Sequence, residues 1–214
     1  MLQIFYLEQG IVIKSTGSHY RILCGDGNIV ECIIKGKFRV RELKNTNPIA
    51  VGDKVRFEFG QSNGSGIITE LLDRKNYILR KSSNLSKQSQ IIAANIDHVF
   101  LMITIIHPET PAEFIDRFLI TAEAYRIPAS LIINKTDLYG EEEIIRMERL
   151  VSVYEKIGYK CFRISVKNNT GLDILASGMK DKISLVAGNS GVGKTTLLNT
   201  FNPDLNLNNG FFES

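Results

Sequence analysis

The amino-acid sequence predicts an α/β chain in two parts: a small N-terminal β-barrel, then a mostly parallel sheet with crossover helices. Three observations carry this. Residues 10–72 are short runs of strand-forming residues punctuated by glycine turns. From Ile96 onward, apolar runs alternate with segments of helical period. A glycine-rich stretch, Gly188–Thr195, is set between an apolar run and a helical one. With 214 residues, 43% of them hydrophobic, the chain can build one large core or two small ones.

The candidate strands of the first part are 10–16 (GIVIKST), 19–25 (HYRILCG), 28–42 (NIVECIIKGKFRVRE), 53–60 (DKVRFEFG) and 65–72 (SGIITELL). Gly25-Asp26-Gly27-Asn28 and Ser62-Asn63-Gly64 supply turns. Five such runs suggest a small barrel, most commonly an OB-fold, although an SH3-like barrel gives nearly the same pattern. Residues 73–91 are polar and basic without a clear period and read as a linker. Beyond them VFLMITII, PASLIIN, KCFRIS and ISLVAG read as strands, and 112–126, 141–157, 171–180 and 193–201 as helices. Phe114, Phe118 and Ala122 recur at helical spacing as a core stripe, and Glu141-Glu142-Glu143 suits an acidic first turn. The expected division is 1–72, 73–91 and 92–214.

Charge is unevenly placed. Residues 1–87 hold 14 Lys/Arg against 8 Asp/Glu, whereas 88–214 hold 12 against 15. A basic first part points to a polyanionic partner. Cys24, Cys32 and Cys161 are too scattered for a disulfide framework or a metal site, which favours a reducing compartment. The N-terminus lacks a signal-peptide pattern, and no apolar run is long enough to span a membrane, so a cytoplasmic monomer is expected. His19, His98 and His107 have no metal-ligand spacing and read as structural.

Gly188-Asn189-Ser190-Gly191-Val192-Gly193-Lys194-Thr195 fits G-x-x-x-x-G-K-[ST]. Glycines let the backbone curl so that successive N–H groups face phosphate oxygens, and the following helix start adds partial positive charge. Lys194 is placed to reach the β- and γ-phosphates, and Thr195, followed by Thr196, to offer a hydroxyl to Mg²⁺. Lys194 and Thr195 are therefore the candidate catalytic pair. The blander reading is a glycine-rich turn with a solvated lysine.

Asn134-Lys135-Thr136-Asp137 ends an apolar run and selects a base. The Asp137 carboxylate can accept from N1–H and the 2-amino group of guanine, donors that adenine lacks. The Lys135 stem can lie along the base plane, while Asn134 can brace the loop and approach N7. The alternative is that Asp137 caps the helix beginning near 141. Ser165-Val166-Lys167 resembles the S-A-K loop of GTPases, in which the Val166 N–H would meet the guanine 6-oxo group.

Ordinary GTPases run from P-loop to N-K-x-D to S-A-K; here the P-loop comes last. With this circularly permuted order behind a barrel, the chain resembles the RsgA/YjeQ family of ribosome small-subunit-dependent GTPases. Gly36-Lys37-Phe38-Arg39, Val51-Gly52-Asp53-Lys54-Val55 and Ile92-Ala93-Ala94-Asn95-Ile96-Asp97 add to the resemblance. It implies an OB domain, a permuted GTPase domain, and GTP hydrolysis with Mg²⁺ during late small-subunit maturation. It also implies zinc in a C-terminal domain absent from this chain. No D-x-x-G follows the P-loop before Ser214, so the GTPase domain is expected to be incomplete and the chain a fragment. The competing readings are a nucleotide-holding rRNA-binding module without turnover, and a P-loop ATPase or kinase.

Lys35, Lys37, Arg39 and Arg41 alternate with apolar or small residues, which in a strand puts all of them on one face. The functional reading is an rRNA phosphate-binding stripe, the blander one a solvated strand face. Replacing all four with serine is expected to reduce the log–log salt slope of small-subunit binding by about 0.7–0.9 per lost phosphate contact, with nucleotide binding unchanged. Filter binding across a salt series checks this, and an unchanged slope would leave the stripe an ordinary solvated face.

Overall fold

Alternation of period two in the first strands puts one set of side chains inside a closed barrel. The computed structural model describes residues 7–34, 49–59, 65–81, 89–205 and 207, and the chain divides into units 1–96 and 97–214. In the first unit, β1 (Leu7–Thr16), β2 (His19–Cys24), β3 (Ile29–Ile34), β4 (Lys54–Phe59) and β5 (Gly66–Leu71) close in the order β1-β2-β3-β5-β4. The β3–β5 pair is parallel, and β4 returns antiparallel to β1. This is Greek-key closure of the OB type rather than an SH3-like meander. Val12, Tyr20, Ile22, Val55, Phe57 and Ile68 fill the interior with no exposure. Lys35, Lys37, Arg39 and Arg41 lie outside the described residues.

The stretch read as a linker contains structure. β6 (Tyr77–Lys81) pairs antiparallel with β7 (Ser89–Ala94). The apolar part of β6 is only Tyr77-Ile78-Leu79, too short to register a period, so pairing rather than pattern makes it a strand.

A buried polar network fixes this hairpin to the barrel. Asp53 has no exposure; its carboxylate accepts the Ala50 N–H at 2.8 Å and both Arg74 Nε and a terminal guanidinium N–H at 2.7 and 2.6 Å. Gly52 has φ +90°, and a Cβ there would stand 2.0 Å from the Ala94 carbonyl oxygen, so the position needs glycine on both counts. The Ala94 N–H donates to the Val51 carbonyl, and Asn95 Nδ2 to the Gly52 carbonyl, at 2.9 and 3.0 Å. The amide of Asn76 both accepts from and donates to the Ile96 backbone at 2.8 Å.

In the second unit, β8 (His98–Ile103), β9 (Ala129–Ile133), β10 (Lys160–Arg163) and β11 (Ser184–Ala187) form a wholly parallel sheet in the order β10-β9-β8-β11. The crossover helices are α1 (Ala112–Ala124), α2 (Glu141–Lys156) and α3 (Leu172–Met179), and α4 (Lys194–Phe201) follows β11. Leu101, Ile103, Leu131 and Ile133 pack toward α1 and α2; Phe100, Met102 and Ile132 face the residues of α3 and α4. Buried on both faces, these strands read as continuous apolar runs.

One detail adjusts the sequence reading and one agrees with it. The inward stripe of α1 is Ile115, Leu119 and Ala122, with Phe114 and Phe118 half-buried on its flank. The true stripe follows i, i+4, i+7, closer to the helical repeat than i, i+8. The acidic first turn of α2 is present, with the Gly140 N–H donating to the Glu143 carboxylate at 2.9 Å. All three cysteines are free and buried, and burial pushes the Cys161 thiol up to about 11. Among the described residues no helix is long and apolar enough to cross a membrane, and no group of three acidic, His or Cys side chains could hold a metal.

Arg74→Ala removes one partner of a buried ion pair and leaves the Asp53 charge stranded. It is expected to destabilise the first unit by about 3–5 kcal/mol, measured by urea denaturation. A loss below about 1 kcal/mol would mean that the Ala50 N–H alone satisfies Asp53.

Candidate nucleotide-binding site

Because β8–β11 all run parallel, the loops after them leave from one edge of the sheet, where open α/β sheets bind ligands. These loops carry Gly188–Thr195 after β11, Asn134–Asp137 after β9 and Ser165–Lys167 after β10. The loop after β8, residues 104–110, joins them.

The Gly188–Gly193 loop is held open by positive φ at Gly188, Gly191 and Gly193. Two of these also permit close approach. A Cβ on Gly188 would lie 2.3 Å from the Met102 carbonyl oxygen, and one on Gly193 2.4 Å from Asn134 Nδ2. Val192 is completely buried, Asn189, Lys194 and Thr195 are half-buried, and Ser190 and Thr196 are exposed. Lys194 Nζ donates to the Gly188 and Asn189 carbonyls at 2.9 and 2.6 Å, and burial lowers its pKa. The ammonium therefore lies against the loop it follows, at the first turn of α4.

Asn134 joins three loops. Its N–H continues the β9 ladder to the Ile103 carbonyl at 2.9 Å. Its side-chain Nδ2 donates to the Val192 carbonyl at 2.8 Å, and Oδ1 accepts the Val166 N–H at 3.2 Å. The side chain, 3% exposed, thus bridges the glycine-rich loop and the Ser165–Lys167 turn from a third strand end. The Val166 N–H, which the sequence assigns to a guanine oxygen, is here engaged by Asn134. The reason is tertiary: β9 and β10 are neighbours, so the amide of one strand end meets the backbone of the next.

Asp137 is in a short 3₁₀ turn, Thr136–Leu138, and does not cap α2, whose N-cap is Gly140. Its Oδ1 accepts the Ser165 Oγ–H at 2.6 Å, and Ser165 Oγ accepts the Asn168 N–H at 3.1 Å. Lys135 is left-handed at φ 65°, and its Nζ donates to the His107 carbonyl. His98 is remote from these loops in its bonding: Nε2 lies 2.8 Å from Ser130 Oγ, and burial, then Lys182, lowers its pKa.

Sequence reasoning missed Tyr139 and the 104–110 loop. The Tyr139 hydroxyl donates to the Asn134 carbonyl at 2.6 Å and accepts the Ile105 N–H at 2.9 Å. The Thr104 N–H donates to Thr110 Oγ1, and the Thr110 N–H to the Thr104 carbonyl, at 3.2 and 3.0 Å. No motif marks these residues; a tyrosine after an apolar strand reads as core.

Comparison with known proteins places the chain in a family. The RsgA GTPase family model matches residues 71–211, and the RsgA N-terminal domain model residues 9–68. Small ribosomal subunit biogenesis GTPase RsgA 2 of Bacteroides thetaiotaomicron is 49% identical over 202 residues, covering 94% of this chain and 65% of that protein. The protein named Small ribosomal subunit biogenesis GTPase RsgA in Phocaeicola vulgatus is 51% identical over 202 residues, again covering 94% and 65%. The chain thus spans about 65% of the length of these curated relatives. The crystal structure of YjeQ from Thermotoga maritima superposes with TM-score 0.80 at 35% identity, covering 96% of this chain and 68% of that one. YloQ, described as a circularly permuted GTPase, gives 0.74 at 27%, covering 93% and 66%.

Asn134→Ala deletes both loop-to-loop bonds, each contributing about 1 kcal/mol net. The second unit is expected to lose about 2 kcal/mol, and the Val166 amide to exchange faster in D₂O. Hydrogen exchange by mass spectrometry checks this; unchanged protection at Val166 would show the loops are held by other contacts.

Proposed function

The chain belongs to the RsgA family of GTPases, and we propose that it binds guanine nucleotide at the loops after β8–β11 and hydrolyses GTP in small ribosomal subunit biogenesis, the process for which its relatives are named. The observation that carries the reading is the Asn134 bridge. It ties a phosphate-binding loop to a base-reading loop, as one ligand touching both would require.

In this reading Asp137 accepts from N1–H and the 2-amino group of guanine. The Ser165 hydroxyl on Oδ1 fixes the carboxylate's orientation before any base arrives. Adenine would set its unprotonated N1 against carboxylate lone pairs, leaving a partly desolvated charge with the Ser165 hydroxyl but no donor from the base. Lys135 lays its stem along the base, its ammonium held by the His107 carbonyl. One Nδ2 proton of Asn134 is committed to Val192, and the other is available to N7. The Val166 N–H bond at 3.2 Å is at the long end for an amide, so the Val166–Lys167 turn can share that donor with the 6-oxo group.

At the other end, the Gly188–Gly193 backbone and the start of α4 receive the phosphates, and Lys194 exchanges loop carbonyls for phosphate oxygens. Thr195, half-buried in the first turn of α4, offers one hydroxyl to Mg²⁺. That fits an ion that takes most of its ligands from water and phosphate. When bound, Mg²⁺ neutralises charge on the phosphates. We assign the barrel to rRNA, with Lys35, Lys37, Arg39 and Arg41 as the candidate contacts, and the protein to the cytoplasm as a monomer.

Titration with fluorescent GDP, ADP and XDP tests the base assignment. The unmutated chain is expected to prefer GDP. Asp137→Asn is expected to prefer XDP, because an amide presents a donor to the 2-oxo group of xanthine. Equal GDP and ADP affinity in the unmutated chain would overturn the guanine assignment.

A further inference from the structure

We propose that the Tyr139 hydroxyl is a positioning residue for base selection, setting the orientation of Lys135 and, through it, of Asp137. The inference rests on the guanine reading above and adds a residue outside Asn134–Asp137, Ser165–Lys167 and Gly188–Thr195.

The geometry assigns this role because both ends of Lys135 answer to the same hydroxyl. The backbone end begins at the Asn134–Lys135 peptide, whose carbonyl takes the Tyr139 proton at 2.6 Å. That peptide leads into φ 65° at Lys135, a left-handed conformation that a residue bearing a side chain holds only when its surroundings fix it. The ammonium end donates to the His107 carbonyl, in the loop whose Ile105 N–H donates to the Tyr139 oxygen at 2.9 Å. Thr104 and Thr110 close that loop on itself: the Thr104 hydroxyl donates to the Pro108 carbonyl, and two further Thr104–Thr110 bonds complete it. The His107 carbonyl is therefore a fixed acceptor. A single buried O–H thus accepts from one support of Lys135 and donates to the other.

The chemistry of the group suits the task. Tyr139 is 9% exposed and belongs to the same core cluster as Ile103, Ile105 and Met147. Burial raises its pKa, with the charge of Asp137 adding to the rise, so the hydroxyl keeps its proton. Asp137 lies two residues beyond Lys135, in the same short turn, and the Tyr139 N–H donates to the Thr136 carbonyl at 3.3 Å. A tilt of the Asn134–Lys135 peptide would pass directly into the carboxylate that reads the base.

Tyr139→Phe keeps the ring and deletes both bonds. We measure Kd for GDP, ADP and inorganic pyrophosphate with this chain. The ratio Kd(ADP)/Kd(GDP) does not depend on how much of the sample is folded, so a merely structural role leaves it unmoved. It is expected to fall about tenfold, with pyrophosphate affinity unchanged, because the phosphate loop is not bonded to Tyr139. An unchanged ratio overturns the inference, whatever happens to Tm. If the unmutated chain fails to distinguish GDP from ADP, the guanine reading falls first, which is a separate result. Should the variant not fold, exchange of the Ile105 amide in the unmutated chain is the second measurement. By reciprocity of coupling, GDP is expected to slow it and pyrophosphate alone to leave it unchanged. Equal effects of the two ligands overturn the inference.

Discussion

The second unit depends on one buried carboxamide. Asn134 has only four polar groups, and each has a partner: its N–H on Ile103, its carbonyl on Tyr139, its Oδ1 on Val166 and its Nδ2 on Val192. Three of these partners belong to loops after β8, β10 and β11 or to the strand end that leads into one. An amide is the suitable group, since it donates and accepts at one planar site without bringing charge into a region where charge would be costly to bury. Gly193 follows from the same constraint, because any Cβ there would collide with Nδ2.

Permutation of the chain order leaves this arrangement intact. A parallel sheet delivers its loops to one edge regardless of which strand comes first, and β11 occupies its place beside β8 through backbone pairing from Ser184–His98 to Ala187–Leu101. What matters is that Gly188–Thr195, Asn134–Asp137 and Ser165–Lys167 follow β11, β9 and β10 at one edge of the sheet, with β8 between β11 and β9. The chain can be opened elsewhere provided those ladders form. Asp97 contributes by accepting the Ile183 N–H at 2.7 Å, which aligns the start of β11 with the start of β8.

The first unit uses a different device for the same problem of fixing irregular backbone. In Val51-Gly52-Asp53 two carbonyls and the buried carboxylate accept from Ala94, Asn95 and Arg74. The hairpin β6–β7 is held at the barrel by these bonds.

Much of this was legible in the sequence, for a physical reason. Strands buried on both faces must be continuously apolar, so β8 and β9 could be read as runs. Phosphate and guanine chemistry tolerates so few residue types that Gly188–Thr195 and Asn134–Asp137 stand out as candidates for it. The barrel's five strands followed from alternation and glycine turns, but alternation does not say which strand pairs with which, and only the parallel β3–β5 ladder separated an OB barrel from an SH3-like one. The short β6 strand was hidden because three apolar residues carry no period. Tyr139 was hidden because a buried tyrosine satisfies the same apolar pattern whether or not its hydroxyl bonds to anything. The sequence by itself determined which groups could meet a phosphate or a guanine. The tertiary structure alone decided that Asn134, Val166, Val192 and Tyr139, up to 58 residues apart in the chain, share one set of hydrogen bonds. Each of these bonds has a backbone group at one end, and almost every residue type supplies those alike, so the sequence does not mark the partner.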